Sequence, residues 1–150
     1  MEKVESFKII GISVSTSNQD GQNAQDLGNL WSQFFSNDLL EKIPNSISKE
    51  IFCIYTDYES NFKGSYTAIL GRKVSSFDAI PEGLISRELP AGNFMKFTAK
   101  GIIPNAVIDT WEEIWADDQQ LKRKYTYDFE VYGEKSQNGE LSEVDIFIAI

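Results

Sequence analysis

The sequence predicts an α+β fold in which two strand–helix–strand–strand units, each with one tryptophan-bearing helix, share one antiparallel sheet. Three observations lead there. Two segments carry apolar residues at helical spacing, one with Trp31 and one with Trp111 and Trp115. The segments around them are rich in β-branched and aromatic residues and are bounded by Gly, Pro and Asn. The order of these elements repeats along the chain, with no residue-level repeat to accompany it. Either helix alone would leave an apolar stripe in water, and laying both on one sheet buries the two stripes together.

Phe7 to Ser15 is the first expected strand, and the polar stretch from Thr16 to Asn23 is a loop punctuated by Gly21. Leu27, Leu30, Trp31, Phe34 and Phe35 then recur at i, i+3, i+4, i+7 and i+8, a helix ending near Ser36. Asn37 to Ser48 is a connection. Ile51 to Thr56 is nearly apolar throughout and is expected in the middle of the sheet. A polar turn from Asp57 to Gly64 leads to its hairpin partner, Tyr66 to Val74. Ser75 to Gly83 is a loop.

Strands at Leu84 to Leu89 and Asn93 to Ala99 open the second round. Pro104 suits the first turn of a helix carrying Val107, Ile108, Trp111, Ile114 and Trp115. Two strands follow, Tyr127 to Tyr132 and Val144 to Ile150, joined by a turn whose tight point is Asn138-Gly139.

Composition limits the chemistry. At 150 residues the chain is expected to form a single domain over residues 1–150. Lys and Arg number 14 against 23 Asp and Glu, a net charge of −9, which argues against direct binding to nucleic acid and favours neutral or cationic partners. There is no histidine, so Ser-His and Cys-His nucleophiles and His-based metal sites are excluded. The one cysteine, Cys53, lies in an apolar run and fits a reducing, cytoplasmic setting. No apolar run reaches the ~20 residues of a membrane span. The spacing of Glu140, Glu143 and Asp145 matches no calcium loop, and no metal or cofactor is expected.

The segment Tyr127-Asp128-Phe129-Glu130-Val131-Tyr132 alternates strictly. As a strand it places Tyr127, Phe129 and Val131 on one face, read as the face against the helices. Asp128, Glu130 and Tyr132 fall on the other. Glu130 there is either a solvated carboxylate or an anion in a cleft. In a cleft among rings it would be desolvated and ready to meet a positive charge. Trp31, Phe34, Phe35, Trp111 and Trp115 are core residues by their helical stripes. Trp31 and Trp111 hold similar places on the two helices and are also candidates for a cleft border. Tyr55, Tyr66 and Tyr132 are strand tyrosines able to line a pocket with their hydroxyls hydrogen-bonded. Asp57, Tyr58 and Glu59 read as a solvated turn, Glu112, Glu113, Asp117 and Asp118 as a wet helix face. Lys122-Arg123-Lys124 is too short and too isolated to be a nucleic-acid patch.

Several stretches resemble the GyrI-like small-molecule-binding domains, the effector-binding domains of AraC- and MerR-type regulators. They are Ile10-Gly11-Ile12-Ser13, Leu30-Trp31-Ser32-Gln33-Phe34-Phe35, Tyr55-Thr56-Asp57-Tyr58-Glu59, Gly64-Ser65-Tyr66-Thr67 with Leu70-Gly71, Ile80-Pro81-Glu82-Gly83, the Trp111 helix, Tyr127 to Tyr132 and Val144 to Ile148. The resemblance implies a pseudo-twofold fold in which two helices flank a central cleft in a curved antiparallel sheet. It implies an aromatic cleft with one acid, matched here by Glu130, that meets hydrophobic and cationic ligands. Tyr132, Trp111, Trp31, Tyr55 and Tyr66 are the candidate lining. Because Met1 directly precedes the first strand, a stand-alone form is expected, a monomer or homodimer acting as a sensor or sequestering protein in transcription regulation or drug response. Two alternatives come with the family: hydrolysis of strained-ring compounds with Glu130 as general base and Tyr132 as donor, and a gyrase-inhibitor-like interaction role.

Overall fold

The computed structural model describes residues 1–150. Its strands are β1 (Glu2–Val4), β2 (Phe7–Ser17), β3 (Ile51–Thr56), β4 (Ser65–Val74), β5 (Ile85–Leu89), β6 (Gly92–Lys100), β7 (Tyr127–Tyr132) and β8 (Glu143–Ala149). The helices are α1 (Gln22–Ser36), α2 (Leu39–Lys42), α3 (Asn105–Ala116) and α4 (Asp118–Leu121). All eight strands join one sheet in the order β1-β6-β8-β7-β3-β4-β2-β5, and every pairing is antiparallel.

That order carries the internal symmetry. The unit β2-α1-β3-β4 lies in the sheet as β3-β4-β2, and the unit β6-α3-β7-β8 lies as β7-β8-β6. The two meet where β3 pairs with β7, and β5 and β1 extend the outer edges. The apolar run Ile51 to Thr56 is therefore central, as its composition predicts. Three elements escape the sequence patterns: β1, α2 and the short α4 that follows α3 after Asp117. Strand β1 is three residues long, too short for an alternation to register. The expected connection after α1 contains α2, because Leu39 and Ile43 bury against the α1 side of the sheet.

The face of β7 bearing Tyr127, Phe129 and Val131 does not pack on helices, contrary to the reading of its alternation. Those residues join Phe7, Ile9, Phe52, Ile54, Ile69, Leu89, Phe94 and Ala149 in a core made of strand residues alone. β7 and β2 are three positions apart, a separation of about 14 Å in a flat sheet. The rings of Phe7 and Phe129 nevertheless approach to 5.6 Å, so the sheet curls toward this face and becomes its own cover. Gly11 and Gly71 sit opposite one another in the β2–β4 ladder where the strands close up. A Cβ on Gly11 would come within 2.1 Å of the Leu70 carbonyl oxygen, and one on Gly71 within 2.3 Å of that of Ile10.

Both long helices lie on the opposite face. Leu30 and Phe34 of α1 cover Ile10, Cys53, Ala68, Leu70 and Val74. Val107, Trp111 and Ile114 of α3 cover Ala99, Val144, Ile146 and Ile148. Between them lies the β3–β7 seam, where Tyr55 and Tyr132 pack against both clusters. This is the central cleft that the two helices flank. No helix is long and apolar enough to cross a membrane.

Candidate functional site

The seam is floored by the register that pairs Cys53 with Glu130. Strand alternation turns both side chains toward the helices. Glu130 is only 2% exposed. Its Oε2 accepts hydrogen bonds from the Tyr55 hydroxyl at 3.0 Å and from Trp111 Nε1 at 2.6 Å, and its Oε1 from the Tyr132 hydroxyl at 2.6 Å. No cationic side chain forms an ion pair with it. Burial pushes the Glu130 carboxyl above its ordinary value, and the bonds from Tyr132, Trp111, Tyr55 and Cys53 pull it back only in part. The Tyr132 phenol is pushed far up by its own burial and by the carboxylate it serves, so it stays a donor.

Rings enclose this acid. Tyr55 meets Trp111 edge-on at 5.5 Å and Tyr66 at 5.7 Å, and Trp31 meets Tyr132 edge-on at 4.9 Å. The structure thus gathers Tyr55, Trp111 and Tyr132 directly onto Glu130. Tyr66 and Trp31 stand one ring further out, and the Tyr66 hydroxyl donates to Asn18 Oδ1 at 2.7 Å. Trp31 and Trp111 are not equivalent, although both fall on helical stripes. Trp111 points inward to the floor, and the deeply buried aromatic of α1 is Phe34. Trp31 is half-buried at the rim. Phe35, expected in the core, is 54% exposed and stacks on Trp31 at 5.9 Å.

A hollow of about 660 Å³ opens at the Ile51–Tyr132 end of the seam, lined by Phe35, Leu40, Arg72, Tyr132 and Lys135 among others. Tyr132 belongs both to its wall and to the donor set of Glu130, so the same phenol borders the hollow and the acid.

Beside Glu130 lies a second buried carboxylate that the sequence reading left unused. Asp128, fully buried, accepts from Ala149 N at 2.9 Å through Oδ1, and from Arg123 Nη2 at 2.7 Å and the Tyr58 hydroxyl through Oδ2. The guanidinium of Arg123 is 1% exposed on its side chain and lies over the rings of Tyr125 at 4.3 Å and Trp111 at 5.8 Å. Lys122-Arg123-Lys124 is thus not simply a surface cluster, since its middle residue turns into the interior. Tyr58 likewise leaves the solvated turn. Its neighbour Asp57 is the surface group, held by the two terminal guanidinium nitrogens of Arg87, Nη1 and Nη2, at 3.1 and 2.9 Å. The available signal for Asp128 was its i−2 relation to Glu130. Nothing in a run of three basic residues marks the central one as internal.

The arrangement can lower the energy of a positive charge: a desolvated carboxylate, the surrounding aromatic rings and no resident cation in contact with the acid. Known proteins share the frame. Residues 1–150 match the family described as Cass2, integron-associated effector binding protein. YobU of Bacillus subtilis (strain 168), named as a candidate transcriptional regulator, is 30% identical over 146 residues, covering 95% of this chain and 91% of that one. An integron cassette protein from the mobile metagenome of Vibrio cholerae superposes with a TM-score of 0.77 at 31% identity, over 99% of this chain and 92% of the other. SAV2435 bound to tetraphenylphosphonium has the same fold at 18% identity, with a TM-score of 0.81 over 99% of this chain and 90% of that one. With its whole length matched and its curled sheet and paired helices in common with these relatives, the chain belongs to the Cass2 family of integron-associated effector binding proteins.

Proposed function

We propose that the protein binds a lipophilic organic cation between α1 and α3, with Glu130 as counter-charge, and acts as a sensor or sequestering protein. The observation that carries this reading is the state of Glu130: only 2% exposed, hydrogen-bonded to three neutral donors and paired with no cation. A carboxylate in that position is charged only at a desolvation cost, and a bound cation offsets it. Trp111, Tyr55, Tyr132 and Trp31 supply ring faces, each worth about 0.5–2 kcal/mol to a nearby cation. The hollow behind Tyr132 lies in the size range of about 300–1,000 Å³ usual for small-molecule sites. In this reading a ligand enters there and turns Tyr132 aside to reach the acid. The tetraphenylphosphonium of SAV2435 is a cation of the right chemistry for such a site.

Tryptophan fluorescence titration with tetraphenylphosphonium tests the reading. Saturable binding is expected, weakened in Glu130→Gln by about 2–5 kcal/mol, the usual cost of removing one partner of a buried charge pair. That corresponds to roughly 30-fold or more in Kd. Binding that is absent from the unmodified protein, or unchanged in Glu130→Gln, contradicts the reading.

A further inference from the structure

The interior at the seam holds three charged side chains. Glu130 and Asp128 point to the same side of β7, two residues apart. Arg123 is clamped to Asp128 at 2.7 Å, and its guanidinium faces Trp111, the same indole whose Nε1 serves Glu130. Asp128 receives only donors, from Arg123, Tyr58 and the Ala149 amide, the pattern of an ionised carboxylate. Asp118 also contacts Arg123, at 3.5 Å, but it is partly solvated, with its side chain 23% exposed, whereas Asp128 is fully buried. Lysines are absent from the donor sets of both buried acids.

We infer that the Arg123–Asp128 pair sets the enclosed charge of the cleft at minus one, so that its ligand is a lipophilic monocation and dications are rejected. This rests on the proposed cation-binding role of Glu130. With Asp128 already neutralised, Glu130 is the single uncompensated charge, and one positive centre satisfies it. A second positive centre would find one face of Trp111 taken by a guanidinium and the neighbouring carboxylate paired. It would lose its hydration with nothing to replace it. Arg123 is thus a specificity-determining residue that acts through charge and through occupation of the Trp111 ring.

The experiment is calorimetric titration with tetraphenylphosphonium and with a bis-phosphonium, two triphenylphosphonium groups joined by a short alkyl chain. The unmodified protein is expected to bind the monocation at least tenfold more tightly than the dication. Arg123→Met leaves two uncompensated carboxylates and is expected to reverse that order. Asp128→Asn leaves a net charge of zero and weakens monocation binding at least tenfold with Glu130 untouched. In the double variant Arg123→Met with Asp128→Asn, the pair is removed as a unit, the charge returns to minus one and the preference for the monocation returns. Equal or tighter dication binding by the unmodified protein overturns the inference without any variant needing to fold. Monocation binding that depends on Glu130, with the same preference in all variants, overturns this inference alone. No monocation binding at all removes the cation-binding role and this inference with it.

Discussion

Glu130 governs how the free protein should respond to pH. Burial holds its folded carboxyl above the ordinary 4.5, and Asp128 is pushed the same way from 3.8, although Arg123 opposes that rise. Between the unfolded and folded values the folded chain binds more protons than the unfolded one. Stability is therefore greatest at the acidic side and falls as pH rises from about 4.5 through the folded value. Cys53, Tyr55 and Tyr132, which face Glu130, are all pushed upward and stay neutral across this window. Thermal unfolding between about pH 4 and about pH 8 should show a falling Tm, flattened in Glu130→Gln, whose Tm at neutral pH should exceed that of the unmodified protein. An equal slope in both proteins would mean that Glu130 is not the group held out of water. Arg123→Met should act oppositely, costing about 3–5 kcal/mol in denaturant unfolding because it strands Asp128 as an unpaired buried charge. Period-2 alternation put Glu130 on one face with Asp128 and Tyr132 but left open whether that face meets water or a cleft, and the family resemblance alone pointed to the cleft. The pairing of Arg123 with Asp128 was not legible in the sequence, because it depends on the turn after α4, where Lys122 and Tyr125 adopt left-handed backbone and swing the intervening guanidinium inward.

The elements explain why the acid is enclosed. The stripes Leu30–Phe34 and Val107–Trp111–Ile114 were readable at helical spacing, and they lay the two helices on the sheet beside the seam. Alternation in β7 separated its two faces correctly but could not say which of them the helices cover, since both are buried. The curl of the sheet decides that, and at the facing pair Gly11 and Gly71 the strands approach too closely for a side chain. Valine at either position would meet backbone, not a movable side chain, at 2.1 to 2.3 Å. Gly71→Val should cost about 1–3 kcal/mol or more in denaturant unfolding, the usual range for overpacking. A neutral result would show that the sheet is not closed up at this point. The β3–β4 turn also ties the two helices together. Phe62 stacks on Trp115 of α3 at 5.9 Å, while Asn18 and Gln19, before α1, donate to the carbonyls of Phe62 and Lys63 at 2.9 and 2.8 Å. Loop residues carry no periodicity, so this bridge was invisible in the sequence.

At the scale of the whole molecule, the fold is nearly twofold and the site is not. Each unit brings one strand to the seam and one helix over it, and the order of elements showed that much. At the centre, however, the register sets a carboxylate opposite a thiol, Glu130 against Cys53, so one half supplies the charge and the other a small apolar neighbour. Tyr55, Trp111 and Tyr132 enclose that charge with their hydrogen bonds, and in the proposed function a bound cation takes their place. A structure determined with tetraphenylphosphonium bound measures this directly. The account predicts the phosphonium centre within about 6 Å of the flanking ring centroids, the reach of a cation–π contact, against the Glu130 carboxylate with Tyr132 turned aside. The ligand resting in the outer hollow, with Glu130 still capped by all three donors, would contradict it.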